Sequence, residues 1–148
     1  MKKLIPLVAL LLASLFSTAQ VSWKAAQEKA KKEERFILLN FSGSDWCVPC
    51  IQMQESIFTK AEFMKMADSQ LVVVRADFPR KKKNKPAADI VLQNEMLADK
   101  FNPNGNFPYT LLMDADGKII KSWDGKPDET AAVFAANVKE LIQQYKAK

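Results

Sequence analysis

The chain has 148 residues, of which 48% are hydrophobic and 26% are charged, values that are ordinary for a soluble single domain with a real core. Two cysteines and no histidine are present, which excludes Ser-His-Asp and Cys-His catalytic sites and every metal site that needs histidine. The net charge is +5, and without Lys2 and Lys3 it falls to +3, too small to indicate a nucleic-acid partner. We therefore expect neither a metal nor nucleic acid.

The first 19 residues have the pattern of a secretory signal peptide. Two lysines precede an apolar run over residues 4–16, and the Ser-Thr-Ala sequence at 17–19 places small residues where a signal peptidase reads them. We predict cleavage before Gln20 and one domain over residues 20–148. An uncleaved anchor is the alternative, but this run is shorter than the about 20 residues of a membrane span. Export predicts a periplasmic or secreted protein, where disulfides persist.

A short apolar run, Phe-Ile-Leu-Leu-Asn-Phe at residues 36–41, separates two helical segments. Its length and the Ser-Gly-Ser-Asp turn after it favour a buried strand over a helix. The helix before it is predicted over residues 21–35 and the helix after it over residues 51–66. Thr59, with Glu62 three residues later, has the pattern of a capping box, so we expect the second helix to break and restart there.

The second half of the chain predicts three more strands, over residues 71–77, 107–113 and 118–123. The first is apolar on both faces, which favours a central position in the sheet. The other two flank an Asp-Ala-Asp-Gly turn and predict an antiparallel hairpin that ends the sheet. Helices are predicted over residues 87–101 and 128–146. Strands that alternate with helices in this way indicate an α/β domain.

A cluster of positive charge interrupts this pattern, because five of the six residues at 80–85 are lysine or arginine. Pro86 follows the cluster, so we expect a loop. One interpretation is a docking patch for an acidic partner or a membrane surface. The other is a solubilising loop, which is the more common fate of a charge run.

The two cysteines, Cys47 and Cys50, lie where the strand at 36–41 passes into the next helix. Cys47 is expected at the helix N-terminus, where free N–H groups and the helix dipole stabilise a thiolate. Cys50 follows about one turn later, so the two sulfurs can meet. The spacing thus supplies an attacking and a resolving thiol for disulfide exchange. A purely structural disulfide is the alternative, but so short a loop gains little from chain entropy.

The sequence Trp46-Cys47-Val48-Pro49-Cys50, placed after an apolar strand, resembles the active-site motif of the thioredoxin superfamily. The order of elements after the leader is similar to that of secreted bacterial thioredoxin-like proteins. The resemblance implies a three-layer thioredoxin-like fold, with a central mixed sheet of about four strands flanked by helices. It also implies that Cys47 is the exposed nucleophile and Cys50 the buried resolving thiol.

The same resemblance assigns substrate-binding roles to three further positions. Trp46 would shield the cysteines, Phe107 would pair its backbone with the substrate, and Pro108 would be a cis-proline beside the cysteines. The chain departs from the family at Asn40, which stands where its commonest members carry a buried carboxylate and which cannot take up a proton. Asp45 is a candidate for that proton transfer, and a surface or helix-capping carboxylate is the alternative.

The predicted function is an extracytoplasmic thiol–disulfide oxidoreductase that acts as a monomer and needs no bound cofactor. Val48-Pro49 between the cysteines resembles the pattern of reductants, whereas oxidants and isomerases commonly carry a histidine that this chain lacks. We therefore predict reduction of protein disulfides, supplied with electrons by a membrane donor. A disulfide oxidase or isomerase is one alternative, and a thioredoxin-fold binding module without redox turnover is another.

Overall fold

The computed structural model describes residues 22–148, so the predicted signal peptide and its cleavage site lie outside the described part. This part contains five helices and four strands. They are α1 (Trp23–Lys32), β1 (Phe36–Ser42), α2 (Val48–Met53), α3 (Ala61–Gln70), β2 (Leu71–Asp77), α4 (Ala88–Phe101), β3 (Tyr109–Met113), β4 (Ile119–Asp124) and α5 (Ala131–Lys146), with a π-helical turn at Gln54–Phe58 and a 3₁₀ turn at Lys82–Asn84. No helix in this range is long and apolar enough to cross a membrane.

The four strands form one mixed sheet in the order β2-β1-β3-β4. Strands β1 and β2 are parallel, in a register that ends with Ser42 opposite Asp77. Strand β3 is antiparallel to β1, and β4 is antiparallel to β3. The predicted mixed sheet of four strands is confirmed, as is β4 at its edge.

The prediction that β2 is central is wrong, because β2 forms the other edge of the sheet. Its apolar residues are buried by helices on the two faces rather than by strands on the two sides. Val72 and Val74 pack on the α1 and α4 face, and Leu71 packs with α3 and α5. Val73 is 43% exposed. An apolar strand sequence therefore indicates that both faces of the strand are buried. It does not indicate whether the strand has a hydrogen-bonded neighbour on each side.

Helices cover both faces of the sheet, as the predicted three-layer fold requires. Alternate residues of β1 point to opposite sides. One side packs with α1 and α4, and the other packs with α2, α3 and α5. The first cluster includes Ile37, Leu39, Phe41, Ala26, Ala30 and Leu97, and the second includes Leu38, Met53, Ile57, Phe63, Phe134 and Val138.

The helical stretch after the cysteines is interrupted near Thr59, as predicted, but the expected capping box is absent. The Thr59 hydroxyl donates to the carbonyl oxygens of Gln54 at 3.0 Å and Glu55 at 3.2 Å. It thereby satisfies the last turn of the preceding helical segment. Lys60, and not Thr59, is the N-cap residue of α3, without a side-chain cap.

Candidate active site

Cys47 and Cys50 are joined by a disulfide, with their Cα atoms 5.2 Å apart. Cys47 is the N-cap residue of α2, and its sulfur accepts a hydrogen bond from the backbone N–H of Cys50 at 3.3 Å. The same N–H is placed to stabilise a thiolate at Cys47 once the disulfide is reduced. The predicted position of the pair at the start of a helix is confirmed.

Both cysteines are buried, Cys47 at 5% exposure and Cys50 at 3%. Burial of Cys50 agrees with the expected resolving thiol, but the expectation of an exposed Cys47 is wrong for this oxidised form. The disulfide and the hydrogen bond from Cys50 hold the Cys47 sulfur against the first turn of α2. The next residue, Val48, is 61% exposed, so the site itself lies at the surface.

The turn that leads into Cys47 is held by the end of β2. The backbone N–H of Ser44 donates to Asp77 at 2.9 Å, and the Ser44 hydroxyl donates to the second oxygen of the same carboxylate at 2.5 Å. The Cys47 N–H donates to the Gly43 carbonyl oxygen at 2.9 Å. A side chain at Gly43 would collide with the indole of Trp46, so the turn needs glycine at this position.

Three aromatic rings stand beside the cysteine motif. The Trp46 indole N–H donates to the carbonyl oxygen of Phe78 at 2.7 Å. The Phe107 ring lies edge-on to Trp46 at 5.5 Å and to Phe78 at 5.6 Å between ring centroids. The contact joins the segment before Cys47 with the segment before Pro108.

The peptide bond between Phe107 and Pro108 is cis, as the resemblance implies. Pro108 is buried, and the next residue, Tyr109, pairs with Phe41 near the carboxyl end of β1. The cis-proline therefore lies at the same end of the sheet as the carboxyl end of β1, from which the chain continues to the cysteine motif. The bulky Tyr109 stacks on Phe41, with ring centroids 6.3 Å apart, on the α1 and α4 face.

Asp45 faces the segment that follows β2. Its carboxylate accepts hydrogen bonds from the N–H of Arg80 at 2.8 Å, the N–H of Lys81 at 2.9 Å and the side-chain amide of Asn84 at 2.9 Å. These donors, the Arg80 N–H above all, lower the pKa of Asp45 from its ordinary value. Three hydrogen-bond donors stabilise the ionised carboxylate and hold the segment after β2 in place. A residue that carries protons at neutral pH needs a pKa near that pH.

Asn40 is 4% exposed and lies on the sheet face that carries α2. Its side-chain amide donates to the Thr110 hydroxyl at 3.0 Å, across the β1–β3 pairing. The position is thus a buried polar link between two strands. Its amide neither binds nor releases a proton at physiological pH.

Sequence reasoning missed Phe78, Asp77 and the guanidinium of Arg80, which lies 4.0 Å from the centroid of the Trp46 ring. All three follow or end β2, far from the cysteines along the chain. The order strand, helix, strand indicated only that these two strands could pair in parallel, and it did not indicate which side chains beyond the strand ends would meet.

Comparisons with known proteins agree with this geometry. The sequence model of the thioredoxin-like domain family matches residues 23–141. The chain is 32% identical over 130 residues to "Disulfide bond reductase DsbH" of Chlamydia pneumoniae, covering 86% of this chain and 76% of that protein. It is 26% identical over 124 residues to "Thioredoxin-related protein DsbJ" of the same organism, covering 83% of this chain and 34% of that protein.

A solved structure described as "DsbH Oxidoreductase" matches with a TM-score of 0.75 and 32% identity, over 83% of each chain. The family match at residues 23–141 includes all four strands and the cysteine motif. The chain therefore belongs to the thioredoxin-like domain family, and with its Cys47–Cys50 pair in that fold it is a thiol–disulfide oxidoreductase.

Proposed function

We propose that this protein reduces disulfide bonds of other proteins outside the cytoplasm, with Cys47 as nucleophile and Cys50 as resolving thiol. The observation that carries the proposal is the Cys47 sulfur at the N-terminus of α2, within hydrogen-bond distance of the Cys50 N–H. That donor favours the thiolate, which is the attacking species in disulfide exchange.

In the reduced protein, the Cys47 thiolate attacks one sulfur of the substrate disulfide and forms a mixed disulfide. The other substrate sulfur leaves as a thiolate and takes a proton from solvent. Cys50 then loses its proton and attacks the Cys47 sulfur, which restores the intramolecular disulfide and releases the second substrate thiolate. Two electrons pass to the substrate, so the protein must be reduced again by a dithiol donor.

The contacts around the site support further role assignments. Trp46 and Phe107 form an aromatic surface beside the cysteines, and we assign pairing with a substrate strand to the backbone of Phe107, an assignment that the cis bond to Pro108 supports. Because Asn40 cannot accept the Cys50 proton, we assign that acceptor to solvent water. Asp45 is assigned to fastening the segment after β2, which its three donors support better than proton transfer.

The direction of electron flow rests on three observations. Val48-Pro49 separates the cysteines, the chain has no histidine to stabilise the thiolate further, and a relative at 32% identity is named a disulfide bond reductase. We accordingly expect a monomer that receives electrons from a membrane donor.

The leader pattern at residues 1–19 supports an extracytoplasmic location, which sequencing the N-terminus of the exported protein would test. A start at Gln20 is expected, and a start at Met1 would contradict it.

The first test of direction is the reduction potential of the cysteine pair, determined in glutathione buffers. A value near the thioredoxin end of the range, about −270 mV, is expected for a reductant. A value near about −120 mV would mean that the protein forms disulfides instead.

Cysteine variants test the mechanism itself. Cys50→Ser should accumulate a mixed disulfide with substrate through Cys47, because the resolving thiol is missing. Cys47→Ser should form none. If the Cys47→Ser/Cys50→Ser double variant kept full function in cells, the role of the protein there would be binding and not disulfide reduction.

A further inference from the structure

The positive charge of the described chain is concentrated in one short segment. Residues 22–148 carry 20 lysines and arginines against 17 aspartates and glutamates. Five of those cations lie at residues 80–85, called here the basic segment, and the rest of the chain carries 15 cations against 17 anions. Every residue of the basic segment is exposed. The fold is thus slightly acidic apart from this segment.

The basic segment is attached directly to the active site. Asp45 binds the backbone N–H groups of Arg80 and Lys81, and it also binds the side chain of Asn84. The guanidinium of Arg80 lies over the ring of Trp46, the residue that precedes Cys47. A loop that served only solubility would need no such attachment, so the contacts indicate that the charge is positioned for the site.

The lysines at the outer end of the segment have no anionic partner within residues 22–148. The ion pairs in the described part of the chain join Lys31 with Asp116 and Arg35 with Glu33, neither of which belongs to the segment. The side chains of Lys82, Lys83 and Lys85 therefore remain available to a molecule that approaches the cysteines. Screening limits the reach of these charges to about 10 Å at 0.1 M salt, so they act on charged groups of a bound molecule that come within about that distance of the lysines.

We propose that the basic segment selects substrates whose disulfide is flanked by acidic residues, binding those carboxylates while Cys47 attacks the disulfide. The proposal rests on the proposed function and specifies its substrate class as acidic polypeptide segments. Charges at the rim of a contact act mainly through the association rate and its salt dependence. The preference should therefore appear in the second-order rate constant and disappear at high salt.

The test uses three peptides that share one disulfide, flanked by three glutamates, three glutamines or three lysines. The full chain is expressed, and the purified protein is reduced and mixed with each peptide in a single turnover. We expect the acidic peptide to react about tenfold faster than the neutral one at low salt. In about 1 M salt, where the Debye length is about 3 Å, the two rates should converge.

A matched pair of variants distinguishes an effect of the basic segment on peptide preference from an effect of the net charge of the protein. Lys82→Gln/Lys83→Gln/Lys85→Gln keeps Arg80 and Lys81, and it should abolish the preference, so that the acidic and neutral peptides react at equal rates. Lys29→Gln/Lys32→Gln/Lys148→Gln removes the same charge near the opposite end of β1, and it should keep the preference. If both triple variants behaved alike, or if the wild type showed no preference, the proposal would be overturned.

Binding measured without chemistry distinguishes this proposal from the proposed function. The same peptides with serine in place of cysteine should bind in the order acidic, neutral, basic, even if the protein reduced none of the disulfides. Equal binding of all three would overturn the proposal, whatever the redox result. Binding through the basic segment to vesicles of anionic lipid, without discrimination among the peptides, would overturn it in favour of a membrane contact.

Discussion

The guanidinium carbon of Arg80 lies 4.0 Å from the centroid of the Trp46 indole ring. At the same time the Trp46 N–H donates to the Phe78 carbonyl oxygen at 2.7 Å. The residue before the nucleophile is therefore held on its ring face and at its ring edge by one segment, which follows β2. That segment sets the orientation of Trp46. It is also hydrogen-bonded to Asp45, which lies in the turn that leads into α2.

Replacement of Arg80 by glutamine should remove the cation–π contact and keep the backbone hydrogen bond to Asp45. At an exposed site the expected loss in the free energy of unfolding is about 0.5–1 kcal/mol, measured by urea denaturation. In a Trp46→Leu background the same change should cost almost nothing. An equal cost in both backgrounds would show that the two residues are not coupled.

Replacement of Asp45 by asparagine should loosen the basic segment, because one amide oxygen replaces two carboxylate oxygens that accept from three donors. A lysine-specific protease should then cleave within residues 80–85 several times faster than in the wild type at neutral pH. Asp128→Asn, an exposed site before α5, is the matched control and should leave the cleavage rate unchanged.

The lowered pKa of Asp45 predicts how the stability difference between wild type and Asp45→Asn changes with pH. The Arg80 N–H lowers that pKa in the folded protein, so the stabilisation is present above the ordinary value of 3.8 and is lost as the pH falls through the folded value. Wild type and Asp45→Asn should therefore converge in stability in strong acid. The pH–rate profile of disulfide exchange should keep its shape, and a missing titration step would restore the proton-transfer role.

Replacement of Gly43 by alanine should place a methyl group within the volume of the Trp46 indole. The indole is held by Phe78, so we expect a loss of about 1–3 kcal/mol in the free energy of unfolding, followed by circular dichroism in urea. In a Trp46→Ala background the collision is absent and the loss should vanish. A loss that persisted there would place the cause in the backbone of the turn.

Replacement of Tyr145 by phenylalanine should remove the hydrogen bond that its hydroxyl donates to Asp114 at 2.7 Å and keep the edge-on contact with Phe36. Burial raises the pKa of Asp114, but the hydrogen bonds from Tyr145 and Lys118 outweigh it, so the net pKa is lowered. The cost should be about 1 kcal/mol at neutral pH.

The sign of the shift predicts the pH dependence of that cost. A depressed pKa stabilises the fold above 3.8, and the contribution is lost as the pH falls through the folded value. Wild type and Tyr145→Phe should thus differ less in strong acid than at neutral pH. Tyr109→Phe is the control, since that hydroxyl has no hydrogen bond within residues 22–148. A pH-independent cost would assign the effect to packing.

Local patterns predicted the elements because each depends on neighbouring residues. The apolar run that ends in Ser-Gly-Ser-Asp became β1, and Cys47 three residues before Cys50 became the N-cap of α2. The same reasoning failed for Thr59, whose hydroxyl had two possible backbone partners. The hydroxyl donates to carbonyl oxygens of the preceding π-helical turn and does not cap α3. Which of the two it does depends on how the π-helical turn and α3 pack.

The sequence by itself determined the redox chemistry, since the two cysteines, their spacing and the lack of histidine are properties of the chain. Only the tertiary structure decided what surrounds that chemistry. Parallel pairing of β1 with β2 brings the segment after Asp77 to the turn before Cys47, where it holds Trp46 and displays its cations. That contact joins residues more than 30 positions apart, and no local pattern encodes which strand ends become neighbours in a sheet.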